Sequence, residues 1–177
     1  QFLKDGKKVL FSETPCQIAA LENYIKPETP KKNLLTVEVV CEGFPSPILL
    51  RKYTALLEQR YHSSVKELDY RYKDKKRWDF QVMKITFSNN KIIKQDRWFS
   101  PFWIFWSERL MSRPSCVECP FRTTDRVADI TLGDLWGVHK YCPELYGNNE
   151  GSSLVVCNSK KGKQLFAKAK KHIYGHQ

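Results

Sequence analysis

Lys7-Lys8-Val9-Leu10-Phe11-Ser12-Glu13-Thr14-Pro15-Cys16 and Leu34-Leu35-Thr36-Val37-Glu38-Val39-Val40-Cys41 decide how this chain begins to fold. Residues 7–12 read as a short buried strand. Thr14-Pro15 reads as a helix start, with a hydroxyl residue at the cap and proline where its missing N–H is no loss. The helix then spans 16–25 and packs through Ile18, Ala19, Leu21, Tyr24 and Ile25. After a proline-containing turn over 26–32, residues 34–40 form a second apolar strand that ends at Cys41. Glu42-Gly43-Phe44-Pro45-Ser46-Pro47 breaks the backbone before a helix over 48–61. The connection is long enough for a right-handed parallel crossover, so both strands end at one edge of a sheet. Cys16 and Cys41, 25 positions apart, then meet outside the carboxyl ends, where open α/β sheets hold their ligands. The expected fold is α/β, a mixed β-sheet with flanking helices that opens on a parallel β-α-β unit.

Working outward, 65–72, 79–88 and 91–99 alternate as strands do, with Ser88-Asn89-Asn90-Lys91 as a hairpin turn between the last two. Residues 100–112 read as a helix capped by Ser100 with Pro101 first. It bears Phe102, Trp103, Ile104, Phe105, Trp106, Leu110 and Met111, which suits a core helix or a face built for a partner or another domain. Residues 127–132 form a strand entering Gly133-Asp134-Leu135-Trp136-Gly137; 151–158 form another, and 161–173 a basic amphipathic helix.

The 177 residues are 41% hydrophobic and 13% aromatic, enough for a packed core and too much for a disordered chain. The chain reads as one domain, 1–177, cut from the C-terminal end of a longer protein. No apolar run approaches the roughly 18–20 residues of a membrane helix, and no export signal is visible. The expected location is therefore the cytoplasm, with no membrane partner. The eight glycines form neither a dinucleotide turn nor a P-loop, and the common metalloprotease and serine-hydrolase signatures are missing. The net charge of +11 is spread over several lysine groups. Tyr70-Arg71-Tyr72-Lys73-Asp74-Lys75-Lys76-Arg77-Trp78 interleaves aromatic and basic residues as single-strand binders do. No named nucleic-acid motif accompanies it, so nucleic acid is not the expected partner.

Six cysteines stand at 16, 41, 116, 119, 142 and 157. Cys116-Val117-Glu118-Cys119-Pro120 is a C-x-x-C whose gap lets both sulfurs reach one metal or cluster; a proline after the last cysteine also occurs in ferredoxin runs. Taken alone it fits a metal or cluster, a redox pair, or an incidental spacing. With Cys16 and Cys41 at a sheet edge, four-thiolate ligation becomes the reading. Cys157 sits in Leu154-Val155-Val156-Cys157 as a core residue, and Cys142 is left open. Fifty-two residues separate Cys119 from the pair His172 and His176, far from a zinc-finger spacing.

Four ordered segments, Phe11–Gln17, Cys41–Pro47, Arg113–Cys119 and Ala128–Asp134, resemble the C-terminal domain of coenzyme F420 hydrogenase/dehydrogenase beta subunits. The resemblance covers nearly the whole chain. It implies an iron–sulfur flavoprotein oxidoreductase in which FAD passes electrons between a 4Fe–4S cluster and a deazaflavin or other acceptor. It also implies a preceding N-terminal part, with ferredoxin-like and flavin-half segments, as partner, and a ferredoxin-like electron carrier as another. Carried over, Cys16, Cys41, Cys116 and Cys119 are the cluster ligands. Ser12, Thr14, Gln17, Gly133 and Asp134 lie where flavin contacts would be. Glu13 stands where the family usually has a small residue, and Glu42 where His is common; a cluster's net negative charge repels a carboxylate at either place. Gly133–Gly137 is similar to a divergent bacterial branch, which leaves FAD open and speaks against coenzyme F420. The rival readings are a zinc-stabilised binding module on the same four thiolates and a thiol–disulfide enzyme using Cys116 and Cys119.

Overall fold

The structure, a computed structural model, describes residues 1–73, 82–146 and 151–173. Its strands are β1 (Val9–Glu13), β2 (Leu34–Val39), β3 (Val65–Tyr72), β4 (Val82–Phe87), β5 (Ile92–Asp96), β6 (Ile130–Asp134) and β7 (Ser153–Cys157). Its helices are α1 (Pro15–Tyr24), α2 (Pro47–Tyr61), α3 (Pro101–Ser107), α4 (Pro114–Val117), α5 (Val138–Tyr141) and α6 (Lys160–Ala169). Gln1–Glu42 and the described residues from Pro120 onward form one compact unit, and Gly43–Cys119 form a second.

The first unit holds a four-stranded sheet ordered β1-β2-β6-β7. β1 and β2 are parallel from Val9↔Leu34 to Glu13↔Glu38, with α1 as the crossover between them. β6 joins β2 in parallel through Glu38↔Thr131, and β7 runs antiparallel to β6. The α/β class and the opening β-α-β unit are as the sequence implies. The expectation of a buried first strand is corrected: β1 is an edge strand, and Leu10 is 64% exposed. Val9-Leu10-Phe11 has the composition of an interior strand, but the chain places β2 inside instead. There Leu34, Thr36, Val37 and Glu38 are buried, and Ile18 packs from α1.

One side of this sheet is polar. Asp129 accepts hydrogen bonds from the Thr36 N–H (3.0 Å) and hydroxyl (3.2 Å), from Ser159 Oγ (2.5 Å) and from Lys161 Nζ (2.8 Å). Ser159 also caps α6 by accepting from the Gly162 N–H at 3.0 Å. α6 sits so close to the sheet that a Cβ at Gly162 would lie 2.3 Å from the Asp129 carbonyl oxygen.

The second unit holds the antiparallel sheet β3-β4-β5. The expected turn is present: Asn90 takes a left-handed φ of 64° and its N–H donates to the Phe87 carbonyl at 2.9 Å. Met83, Ile85 and Phe87 point to one side of β4 and form a core with Leu57, Phe102 and Met111. The helix expected over 100–112 is shorter. α3 ends at Ser107, and Arg109 adopts a left-handed φ of 60° that turns the chain and returns Met111 to the core. Phe102 is buried while Ile104 and Phe105 stay exposed, so the helix packs on one side despite its all-round apolar sequence. The 161–173 helix is α6 followed by a 3-10 turn at Lys170–His172. Residues 79–81, the run after Lys73 and His176 lie outside the described residues.

Candidate functional site

The carboxyl edge of the parallel strands gathers the early candidates. Glu13, Glu38 and Thr131 stand level across β1, β2 and β6. Cys16, Cys41 and Asp134 each follow one of these residues by three positions. Cys16 falls in the first turn of α1 and is exposed, as is Cys41 just beyond β2. Thr14 occupies the N-cap position, but its side chain does not cap. Its hydroxyl donates to Gln17 Oε1 at 2.6 Å and lies 3.3 Å from Cys16 Sγ. Ser12 is exposed on the edge strand, level with Val37. At the end of β6, a Cβ on Gly133 would come 2.8 Å from Val40 Cγ2, so that face is already filled. Asp134 beside it is exposed.

The C-x-x-C belongs to the second unit. Pro114 starts the single turn of α4, which carries Cys116, and Cys119 follows it; both cysteines are half-buried. The segment before α4 is held by the segment after Cys41. Ser46 N–H donates to the Met111 carbonyl (2.8 Å), Arg113 N–H donates to the Phe44 carbonyl (3.1 Å), and Pro45 bridges Ser112. The Arg113 guanidinium lies 4.4 Å from the centre of the Phe44 ring. Gly43 has a φ of 113°, open to glycine far more than to other residues, and its missing Cβ would stand 3.4 Å from Cys116 Cβ.

None of the six cysteines forms a disulfide. Among the described residues no group of three or more His, Cys, Asp or Glu side chains is gathered as a metal site. Cys16 and Cys41 belong to one unit, and Cys116 and Cys119 to the other. Their donor chemistry suits an iron–sulfur cluster, which is held by cysteine thiolates. The flavin candidates fit less well. Thr14 donates to Gln17, and Val40 occupies the space beside Gly133. Cys157 is half-buried in β7 opposite Ile130, and Cys142 follows α5 half-buried.

The sequence did not point to Glu38 and Arg126. Glu38 is fully buried in β2, where its Oε1 accepts from Thr131 Oγ1 (2.8 Å) and from Arg126 Nε. Only its odd placement as a lone carboxylate within Leu34–Val39 could have signalled a buried partner.

The family model for the C terminus of the coenzyme F420 hydrogenase/dehydrogenase beta subunit matches residues 6–176. The chain belongs to this family. The F420 hydrogenase/dehydrogenase family ties the fold to oxidoreductases and to electron transfer, with further domains or subunits as its partners. No curated protein matches the chain. Among the described residues no helix is long and apolar enough to cross a membrane.

Proposed function

We propose that the chain is the electron-transfer domain of a cytoplasmic iron–sulfur oxidoreductase, with Cys16, Cys41, Cys116 and Cys119 as ligands of one 4Fe–4S cluster. Its partners are the N-terminal part of a longer protein, a ferredoxin-like carrier and a flavin or deazaflavin-type acceptor. One observation carries this reading. The residues that follow Cys41, from Gly43 to Ser46, are strapped to the residues that lead into Cys116. Two stretches far apart in sequence, one that follows Cys41 and one that leads into Cys116, are thereby tied by backbone hydrogen bonds within the second unit.

When bound, the cluster supplies one-electron transfer. The chain supplies four soft anionic ligands and sets their spacing. The positive end of the α1 dipole lies at Cys16 and favours negative charge there, and glycine at 43 allows the φ of 113° with which the chain passes Cys116. Glu13 precedes Cys16 by three residues and Glu42 follows Cys41 directly, and negative charge at these places would disfavour reduction and lower the potential.

Purification of the chain without air, with iron, sulfide and zinc measured together, tests the proposal. The expected protein is brown, absorbs near about 400 nm and holds iron and sulfide in equal amounts. Serine at any one of the four cysteines should remove most of the cluster. Colourless protein with one zinc per chain would favour the structural-zinc module. Loss of cluster only with Cys116 and Cys119 would free Cys16 and Cys41 from the ligand set.

A further inference from the structure

Arg126 joins three pieces of chain. Its Nε donates to buried Glu38, and its Nη1 donates to the carbonyls of Phe121 and Thr123, each at 3.2 Å. Glu38 precedes Cys41 by three residues, and Phe121 follows Cys119 by two. A single guanidinium therefore holds the strand that leads to one proposed ligand and the segment that leaves another. The planar fork of arginine suits this task, since its N–H groups point in fixed directions.

Stability alone explains the pair poorly. Burying two charges costs several kcal/mol per ion before their attraction is counted, and well-packed apolar residues are often as stable. Here the pairing is also incomplete, because Glu38 Oε2 and Arg126 Nη2 are buried without a hydrogen-bond partner among the described residues. A costly, half-satisfied pair that ties together the approaches to two cysteines is better explained by the geometry it imposes.

We propose that Glu38 and Arg126 are positioning residues for the cluster, fixing the approach to Cys41 and the exit from Cys119 so that both thiolates are held ready for ligation. This rests on the electron-transfer reading above. Arg126→Lys keeps a positive charge beside Glu38, but one ammonium cannot also hold both carbonyls in that geometry. Glu38→Gln keeps the volume and the acceptor for Thr131 while removing the charge.

The test uses the whole chain, reconstituted without air at limiting iron, with folding followed by circular dichroism. Cluster content, the electron paramagnetic resonance spectrum of the reduced protein and amide exchange over 120–126 are read together. In Arg126→Lys, folded chains should take up at least about tenfold less cluster, the usual cost of losing an outer partner of a metal ligand. The residual spectrum should shift, and the 120–126 amides should exchange faster. Should Arg126→Lys not fold, Glu38→Gln is read in the same way. Wild-type protein that loads cluster beside variants that load equally, with unchanged spectra, would overturn the positioning role alone. Wild-type protein that takes up no cluster would overturn the electron-transfer reading and this role with it. Failure of both variants to fold would reduce the pair to a structural one and overturn the proposal.

Discussion

Asp129 shows how one carboxylate can organise a strand edge. Burial pushes its carboxyl up, yet hydrogen bonds from Lys161, Ser159 and Thr36, with the Lys161 charge, outweigh burial and hold it below the ordinary range. A carboxyl held low stabilises the fold above the ordinary carboxylate value, about pH 4, and loses that contribution as pH falls through its lowered value. Lys161 is 41% exposed, so solvent screens part of its share and the hydrogen bonds carry most of the effect. Asp129→Asn should cost about 1.5–3 kcal/mol at pH 7, the worth of hydrogen bonds to a charged group. The gap to wild type should narrow steadily below about pH 4, as both side chains become neutral. Urea midpoints taken from neutral to acid pH check this; a gap that stays constant would remove the ionised carboxyl from the account. The same residue also shows why the polar side of the sheet was hidden. Thr36 lies 93 positions from Asp129, and nothing in either local pattern names the other.

At the scale of elements, Gly162 reverses a familiar rule. Alanine in place of a helical glycine usually stabilises by about 1 kcal/mol. In α6 the added methyl would meet the Asp129 carbonyl oxygen at 2.3 Å and its carbon at 3.0 Å, both backbone atoms with little room to move. Gly162→Ala should therefore destabilise by about 1–3 kcal/mol, as overpacking does, and loosen the Ser159 cap. Thermal unfolding gives the sign directly, and a raised melting temperature would mean that α6 is not seated as described. Elements with local codes were legible in the sequence: Thr14-Pro15 starts α1, the Asn89-Asn90 turn joins β4 to β5, and the crossover places Cys16 and Cys41 at one edge. Features set by distant partners were not. Apolar Val9-Leu10-Phe11 does not reveal that β1 is the edge, and seven apolar residues over 102–111 do not reveal that Arg109 turns the chain between them. Arg126 reaches Glu38 across 88 positions, so the pair that frames the candidate site became visible only in the fold.

For the molecule as a whole, the buried apolar residues divide between the two compact units. Leu57, Met83, Ile85, Phe87, Phe102 and Met111 all belong to Gly43–Cys119, whereas Ile18, Leu34, Val37, Ala128 and Ile130 belong to the unit of the parallel sheet. A cavity cut into one core removes contacts from that unit first, because dispersion falls away within an atomic diameter. Ile85 is fully buried in the centre of β4, so Ile85→Ala should cost about 2–5 kcal/mol. Amides of β3, β4 and β5 that exchange through opening of their unit should then speed up at least about tenfold, since 1.4 kcal/mol is one decade. Amides of β2 and β6 should change far less, because they belong to the other unit. Hydrogen exchange resolved by peptide separates the alternatives. Equal acceleration of β2 and β4 would show that the two cores open as one, with no separate stability for either unit.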